Sequence, residues 1–291
     1  MDKRNINLDY MLKLSYLMRK FEFESAPRHL KIKEFINDGF IVDMDKPIIT
    51  IPERKLNHNF MTGEAWWILD GRNDVRSLSK YMGKIKRYSD DGVRFFGAYG
   101  PKIVDQLSYC IKILVEDRDT RQSCLTIWRQ NPPFSKDIPC TVSLQFFLRE
   151  DRLYTVANMR SQDIWLGLPY DAFNFSAISF FMCLSLRDIL KQPTLKLGEL
   201  YINAASRHIY ETNYQEARKV SKAPIPDHLD FSFNRALDNY KDPYDFIKSL
   251  KVSSDSELPT IKDKFHRLES FKPIDNELGD LPNDPNNHEY E

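Results

Sequence analysis

Ile138-Pro139-Cys140-Thr141-Val142-Ser143-Leu144-Gln145 and, after a strand-like stretch, Asn158-Met159-Arg160-Ser161-Gln162-Asp163-Ile164-Trp165-Leu166-Gly167-Leu168-Pro169-Tyr170-Asp171 decide how this chain is read. Cys140 stands between a proline and the start of an alternating apolar run. Strands are expected at 141–149 and 152–158, with Asp151 and its charged neighbours as the hairpin turn. Gly167-Leu168-Pro169 then opens an apolar run over 171–190, read as a central helix buried on most sides. A thiol reacts as its thiolate, and a nearby guanidinium such as Arg160 favours that form. Cys110, Cys124 and Cys183 lie in apolar periodic runs, where a free cysteine acts as a small hydrophobe.

Working outward, Met11, Leu14, Leu17, Met18 and Phe21 have helical spacing over 8–21. Phe35-Ile36, Phe40-Ile41-Val42 and Ile48-Ile49-Thr50-Ile51 make 27–51 strand-like, with Arg28 at its mouth. Residues 61–70 read as a buried helix carrying one carboxylate, Glu64, beside two tryptophans; such a group is costly unless paired or functional. Helices are expected at 101–116 and 208–220, and strands at 123–129 and 195–203. Residues 274–291 hold six acidic residues and no lysine or arginine, so the expectation is one catalytic domain over 1–255 and a loosely ordered acidic tail over 256–291. Strands at both ends with helices between imply an α+β fold around a large mixed sheet.

Composition narrows the function. Lys and Arg number 42 and Asp and Glu 42, which argues against general nucleic-acid binding through a basic face. No run of about 18 apolar residues is evident, so no membrane span is expected. The N-terminus leads into an amphipathic segment rather than an apolar signal core, so a cytoplasmic protein is expected, in a bacterial or phage-infected cytosol.

The quoted stretch resembles the signature of the thymidylate synthase superfamily: a Pro-Cys nucleophile, then Arg-Ser-x-Asp-x-x-Leu-Gly-x-Pro and a base-reading residue. The resemblance covers roughly 28–250 and is densest from 119 to 215. It implies a three-layer α+β fold whose sheets pack back to back in a homodimer. It also implies methylenetetrahydrofolate as co-substrate, with no metal. Cys140 matches the cysteine that attacks C6 of a pyrimidine nucleotide, and Gln145 matches the glutamine that follows it. Glu64, in Glu64-Ala65-Trp66-Trp67-Ile68-Leu69-Asp70-Gly71-Arg72-Asn73, matches the catalytic glutamate that orders water and passes protons. Tyr99 matches a tyrosine of the proton network at C5. Arg160 matches the arginine touching phosphate and cysteine, and Ser161 a nucleotide-contacting serine. Asp163 matches the aspartate that holds the pterin, with Gly167 beside it in the cofactor site. His208 and Tyr210 match the His-x-Tyr pair on the sugar. Arg121 matches the first of an Arg-Arg pair lent to the partner subunit's phosphate site; the second position is Gln122. Arg28 is a candidate phosphate-loop arginine, although His29-Leu30-Lys31 replaces the usual glycine-rich loop.

Asp171 stands where thymidylate synthases have asparagine. An asparagine amide can serve the O4 and N3–H of uracil, whereas a carboxylate accepts from the amino group of cytosine. Here the chain resembles the phage deoxycytidylate hydroxymethylases, as it does in Cys140-Thr141. Asp171 could also serve as an N-cap for a helix starting at 172. The tryptophan-bearing segment after the glutamate helix is shortened to 74–93, and the closing C-terminal tail is not recognisable. Both differences favour water over hydride as the final reactant. The expectation is therefore C5-hydroxymethylation of dCMP or CMP. The alternatives are a methylase acting on dUMP or dCMP and a non-catalytic nucleotide-binding homologue.

Overall fold

The structure, a computed structural model, describes residues 5–258 and 260–271. The elements in order are α1 (Ile6–Lys20), β1 (Phe23–Ser25), β2 (Ile32–Asp43), α2 (His58–Leu69), α3 (Val75–Ser79), α4 (Gly100–Glu116) and β3 (Cys124–Thr126). There follow β4 (Thr141–Arg149), β5 (Arg152–Met159), β6 (Gln162–Asp163), α5 (Leu168–Leu190), β7 (Lys196–Tyr210), α6 (Tyr214–Val220), α7 (Phe233–Ala236), α8 (Pro243–Asp255) and α9 (Ile261–Glu269). The strands form one seven-stranded sheet in the order β1-β2-β7-β5-β4-β3, with β6 also paired to β7. β7 runs parallel to β5 and β6, and the other pairs are antiparallel. This is the α+β mixed sheet expected.

The β4–β5 hairpin closes on Glu150 and Asp151, both left-handed at φ 47° and 56°, the paired positive angles of a type I′ turn. A parallel pair needs a crossover, and α5 supplies it between β5 and β7. Phe173, Phe175 and Phe180 of α5 are fully buried. Phe180 lies 4.4 Å from Phe246 of α8, and Phe173 5.6 Å from Phe265 of α9. Each such ring contributes about 3–5 kcal/mol against truncation to alanine.

Several expectations change. α5 is long and apolar enough to cross a membrane by length and composition, but it is mostly buried within the fold as its core helix. Residues 48–51 are not part of the sheet. The strand expected over 195–203 continues to Tyr210, because β2 pairs with it as far as Ile32–Tyr210; the following helix starts at Tyr214 rather than 208. The expected loose tail from 256 is also corrected in part: 261–269 form α9, with Phe265 and Leu268 buried. The rest of that tail, from 272, lies outside the described residues. α5 starts at Leu168 with Gly167 as N-cap, so Asp171 belongs to its first turn and does not cap it.

The two faces of the sheet differ. One packs on α5. On the other, Ile41, Tyr201, Val156 and Gln145 form a cross-strand row of half-exposed side chains, flanked by Phe147 and Tyr154.

Candidate active site

Strand direction gathers the chemistry at one end of the sheet. Cys140 precedes β4, Arg160 follows β5, His208 and Tyr210 end β7, and Arg28 precedes β2. The antiparallel registers Thr141–Met159 and Ile32–Tyr210 bring these ends level. α2 and the first turn of α5 add Glu64 and Asp171. The result is a cavity of about 970 Å³ lined by Arg28, Glu64, Tyr99, Cys140, Arg160, Ser161, Asp163, Gly167, Asp171, His208 and Tyr210.

Arg160 clamps the cysteine loop. Its Nε donates to Pro139 O at 2.9 Å and its Nη2 to Ile138 O at 3.1 Å, while Nη2 lies 3.9 Å from Cys140 Sγ. Burial nevertheless pushes the thiol up, against the pull of Arg160 and with a further push from Asp171. The pull of Arg160 thus offsets only part of the cost of burial.

Glu64 is enclosed, and burial pushes it up to about 7. Asn174 Nδ2 donates to its Oε2 at 2.7 Å, a partial offset, and Asp171 pushes it higher. Burial likewise pushes Asp171 up to about 7, against a hydrogen bond from Gln162 and the charge of Arg207. Two carboxyl groups titrating near neutrality in one cavity is a pattern of sites that move protons. Tyr99 Oη accepts from Thr141 N at 3.3 Å and Thr141 Oγ1 at 3.0 Å, and burial holds its phenol well above the usual range.

Asp163 caps its own turn: Oδ1 accepts from Trp165 N at 2.7 Å and Leu166 N at 3.0 Å. Its buried Oδ2 and the Nδ1 of His208 have no hydrogen-bond partner among the described residues. Burial raises Asp163 and lowers His208. Arg28 Nη2 donates to Tyr210 Oη at 3.2 Å, from a backbone where Arg28 and His29 are both left-handed at φ 53° and 64°. Consecutive non-glycine residues in that region are strained, and strain concentrates at ligand clamps.

Two expected residues lie apart. Gln145 is on the other sheet face, where its Nε2 donates to Arg121 O at 2.8 Å. Arg121 is exposed and outside this cavity. Sequence reasoning missed four residues. Gln162 is the variable position inside the quoted motif, and Asn174 follows Asp171 by three residues on one helix face, a spacing that could have revealed it. Tyr88 lines the cavity from the shortened segment. Arg207, fully buried in β7, had no local signal.

The family profile described as Thymidylate synthase matches residues 31–264. The chain belongs to the thymidylate synthase family. Among curated relatives it is similar to the deoxyuridylate hydroxymethyltransferase of Pseudomonas phage M6, 35% identical over 144 residues, covering 46% of this chain and 41% of that protein. It is also similar to the deoxyuridylate hydroxymethyltransferase of Bacillus phage SP01, 30% identical over 214 residues, covering 65% and 53%. It is also similar to the thymidylate synthase of Buchnera aphidicola, 24% identical over 192 residues, covering 61% and 69%. The chain spans about half the length of the phage relatives it matches.

Proposed function

We propose that this chain is a pyrimidine nucleotide C5-hydroxymethyltransferase converting dCMP or CMP to its 5-hydroxymethyl form with 5,10-methylenetetrahydrofolate and water. The observation that carries the reading is a carboxylate, Asp171, at the base-reading position of the cavity that holds Cys140. The co-substrate fits the residues present: Asp163 Oδ2 is a buried acceptor without a partner, suited to a pterin N–H. A Cβ on Gly167 would lie 3.0 Å from Asp171 Oδ2, so glycine keeps the cavity wall clear. When bound, the folate supplies the one-carbon unit.

In this reading the Cys140 sulfur adds to C6 and surrenders its proton, and C5 becomes nucleophilic. Arg160 and Arg28 hold the phosphate, and His208 and Tyr210 the sugar hydroxyl. Asp171, ionised, accepts from the 4-amino group. C5 would bond to the one-carbon unit that the folate supplies, and loss of tetrahydrofolate and of the C5 proton would leave an exocyclic methylene. Glu64 then takes a proton from water as the water oxygen bonds to that carbon. The electron pair returns to the ring, C5=C6 re-forms, and the sulfur leaves as thiolate to be reprotonated. Glu64 near 7 is matched to a proton that must be both taken and given at neutral pH. The half-exposed sheet face with Phe147, Tyr154, Val156 and Tyr201 supports a homodimer. Arg121, outside its own cavity, supports its donation to the partner's phosphate site.

A second reading, hydroxymethylation of dUMP, draws support from the names of the phage relatives and from a neutral Asp171, whose O–H would donate to O4. The test is tritium release from 5-tritiated dCMP, CMP and dUMP, with and without methylenetetrahydrofolate, followed by product masses. Release from a cytidylate with a hydroxymethyl product supports the first reading and fixes the sugar. Release from dUMP alone favours the second, and a methyl product with dihydrofolate rejects both.

A further inference from the structure

Behind Asp171 a chain of polar groups, buried at Gln162 and Arg207, runs to Lys13 of α1. Gln162 Nε2 donates to Asp171 Oδ2 at 3.1 Å. Gln162 Oε1 accepts from Arg207 Nη1. Arg207 Nε donates to Asp38 Oδ2, and its Nη2 to Asp38 O at 3.3 Å and Ile202 O at 3.2 Å. Asp38 Oδ1 accepts from Lys13 Nζ of α1 at 2.6 Å. Gln162 and Arg207 are both buried.

An amide can face a carboxyl with either its donor or its acceptor end. A guanidinium has donors only, so Arg207 claims the Gln162 oxygen and turns the Gln162 nitrogen to Asp171. Asp171 therefore accepts on Oδ2, a hydrogen bond that stabilises the carboxylate over the acid, and in the carboxylate Oδ1 is an acceptor too. Arg207 is held by Asp38 and cannot swing to form its own pair with Asp171. We propose that Gln162 and Arg207 are positioning residues that fix Asp171 as a hydrogen-bond acceptor, so that the site selects an amino group over a carbonyl at C4 of the pyrimidine. The proposal rests on Asp171 as base reader.

Other groups facing Asp171 are Glu64 of α2, Tyr99 before α4, Cys140 before β4 and Asp163 of β6. Asp163 and burial push Asp171 towards its acid form, whereas Gln162 and Arg207 oppose them. Without that opposition Asp171 shifts further towards its acid form, whose O–H is a donor that suits O4 of uracil.

The test is calorimetric binding of dCMP, CMP and dUMP to the full chain and to Gln162→Met and Arg207→Lys, from about pH 6 to about pH 8.5, a window that spans the Asp171 titration. Gln162→Met conserves volume and leaves Arg207 paired with Asp38. It is expected to lower the preference for the better-bound cytidylate over dUMP about tenfold near pH 7.5, the scale of one lost hydrogen bond to a charged group. The pH at which cytidylate binding is half maximal should move up. Arg207→Lys keeps the charge beside Asp38 without the fork that reaches Gln162, and should fall between wild type and Gln162→Met. Equal weakening for all three nucleotides, or an unchanged preference and pH profile in both variants, overturns the proposal while leaving the base reading intact. A wild-type chain with no preference for cytosine overturns the reading of Asp171 and this proposal with it. If Gln162→Met does not fold, the ratio measured for Arg207→Lys decides.

Discussion

Two carboxylate settings in this molecule move in opposite directions. At the end of α8, Asp255 accepts from Lys80 Nζ at 2.7 Å, Tyr81 Oη at 2.7 Å and Lys251 Nζ at 2.5 Å, and these donors pull it down to about 2. In the cavity, among the described residues, Glu64 has one side-chain donor, Asn174, and Asp171 one, Gln162, and both are pushed up to about 7. Burial raises all three, so what separates them is the supply of donors. Asp255 is a solved structural problem at the surface. Glu64 and Asp171 are left short of partners where a ligand can complete them, which marks the cavity as the working part of the fold.

The largest expected effect is on turnover. Glu64→Gln should lower kcat roughly 10³-fold by removing the proton acceptor, measured by tritium release and product mass, and an active Glu64→Gln enzyme would remove Glu64 from the chemistry. Asp171→Asn should move preference from cytidylate towards dUMP by about 100-fold, read as the ratio of kcat/KM values. Asn174→Ala removes the one side-chain donor to Glu64 among the described residues, so Glu64 should rise further and the acid limb of the kcat profile shift to higher pH. About a fivefold loss at pH 7 follows from one unit of such a shift, since Glu64 starts near 7.

Stability sharpens the same contrast. Glu64 and Asp171 are raised by folding, so the stability they contribute is full below about pH 4 and lost as pH rises through about 7. Glu64→Gln and Asp171→Asn should therefore each be more stable than wild type at pH 8 by about 3 kcal/mol, shown by denaturant melts, with little difference at pH 4. Asp255 is lowered, so its contribution is present above about pH 4 and lost as pH falls through about 2. With a side chain 44% exposed, Asp255→Asn should cost under about 1 kcal/mol and leave turnover unchanged. A larger loss in that variant would mean that the α8 cluster supports the cavity.

Much of this contrast could be read from the chain. The Pro139-Cys140 step, Arg160 to Asp163 and Asp171 lie within the single stretch 139–171, and the family pattern orders them. The α5 run and the β4–β5 hairpin follow from local periodicity and turn chemistry. Arg207 could not be found this way, because its meaning comes from Asp38 across β2 and Gln162 across β6. The extension of β7 to Tyr210 also depends on pairing with β2, a distant partner that overrides local helical spacing in 208–220. α9 was missed because its polar composition conceals two side chains, Phe265 and Leu268, that fill the aromatic cluster.

The pairing of β2 with β7 also bears on how the chain acquires its shape. β2 is made early on the ribosome, and most of the protein must be synthesised before β7 can reach it. Until then β2 presents an unpaired edge, and the cavity lacks the wall that carries His208 and Tyr210. Pairing of such distant segments slows folding and prolongs exposure of sticky edges. Nascent chains stalled before residue 196 should therefore be protease-sensitive over 32–43, and catalytic competence should appear only after the last long strand has docked.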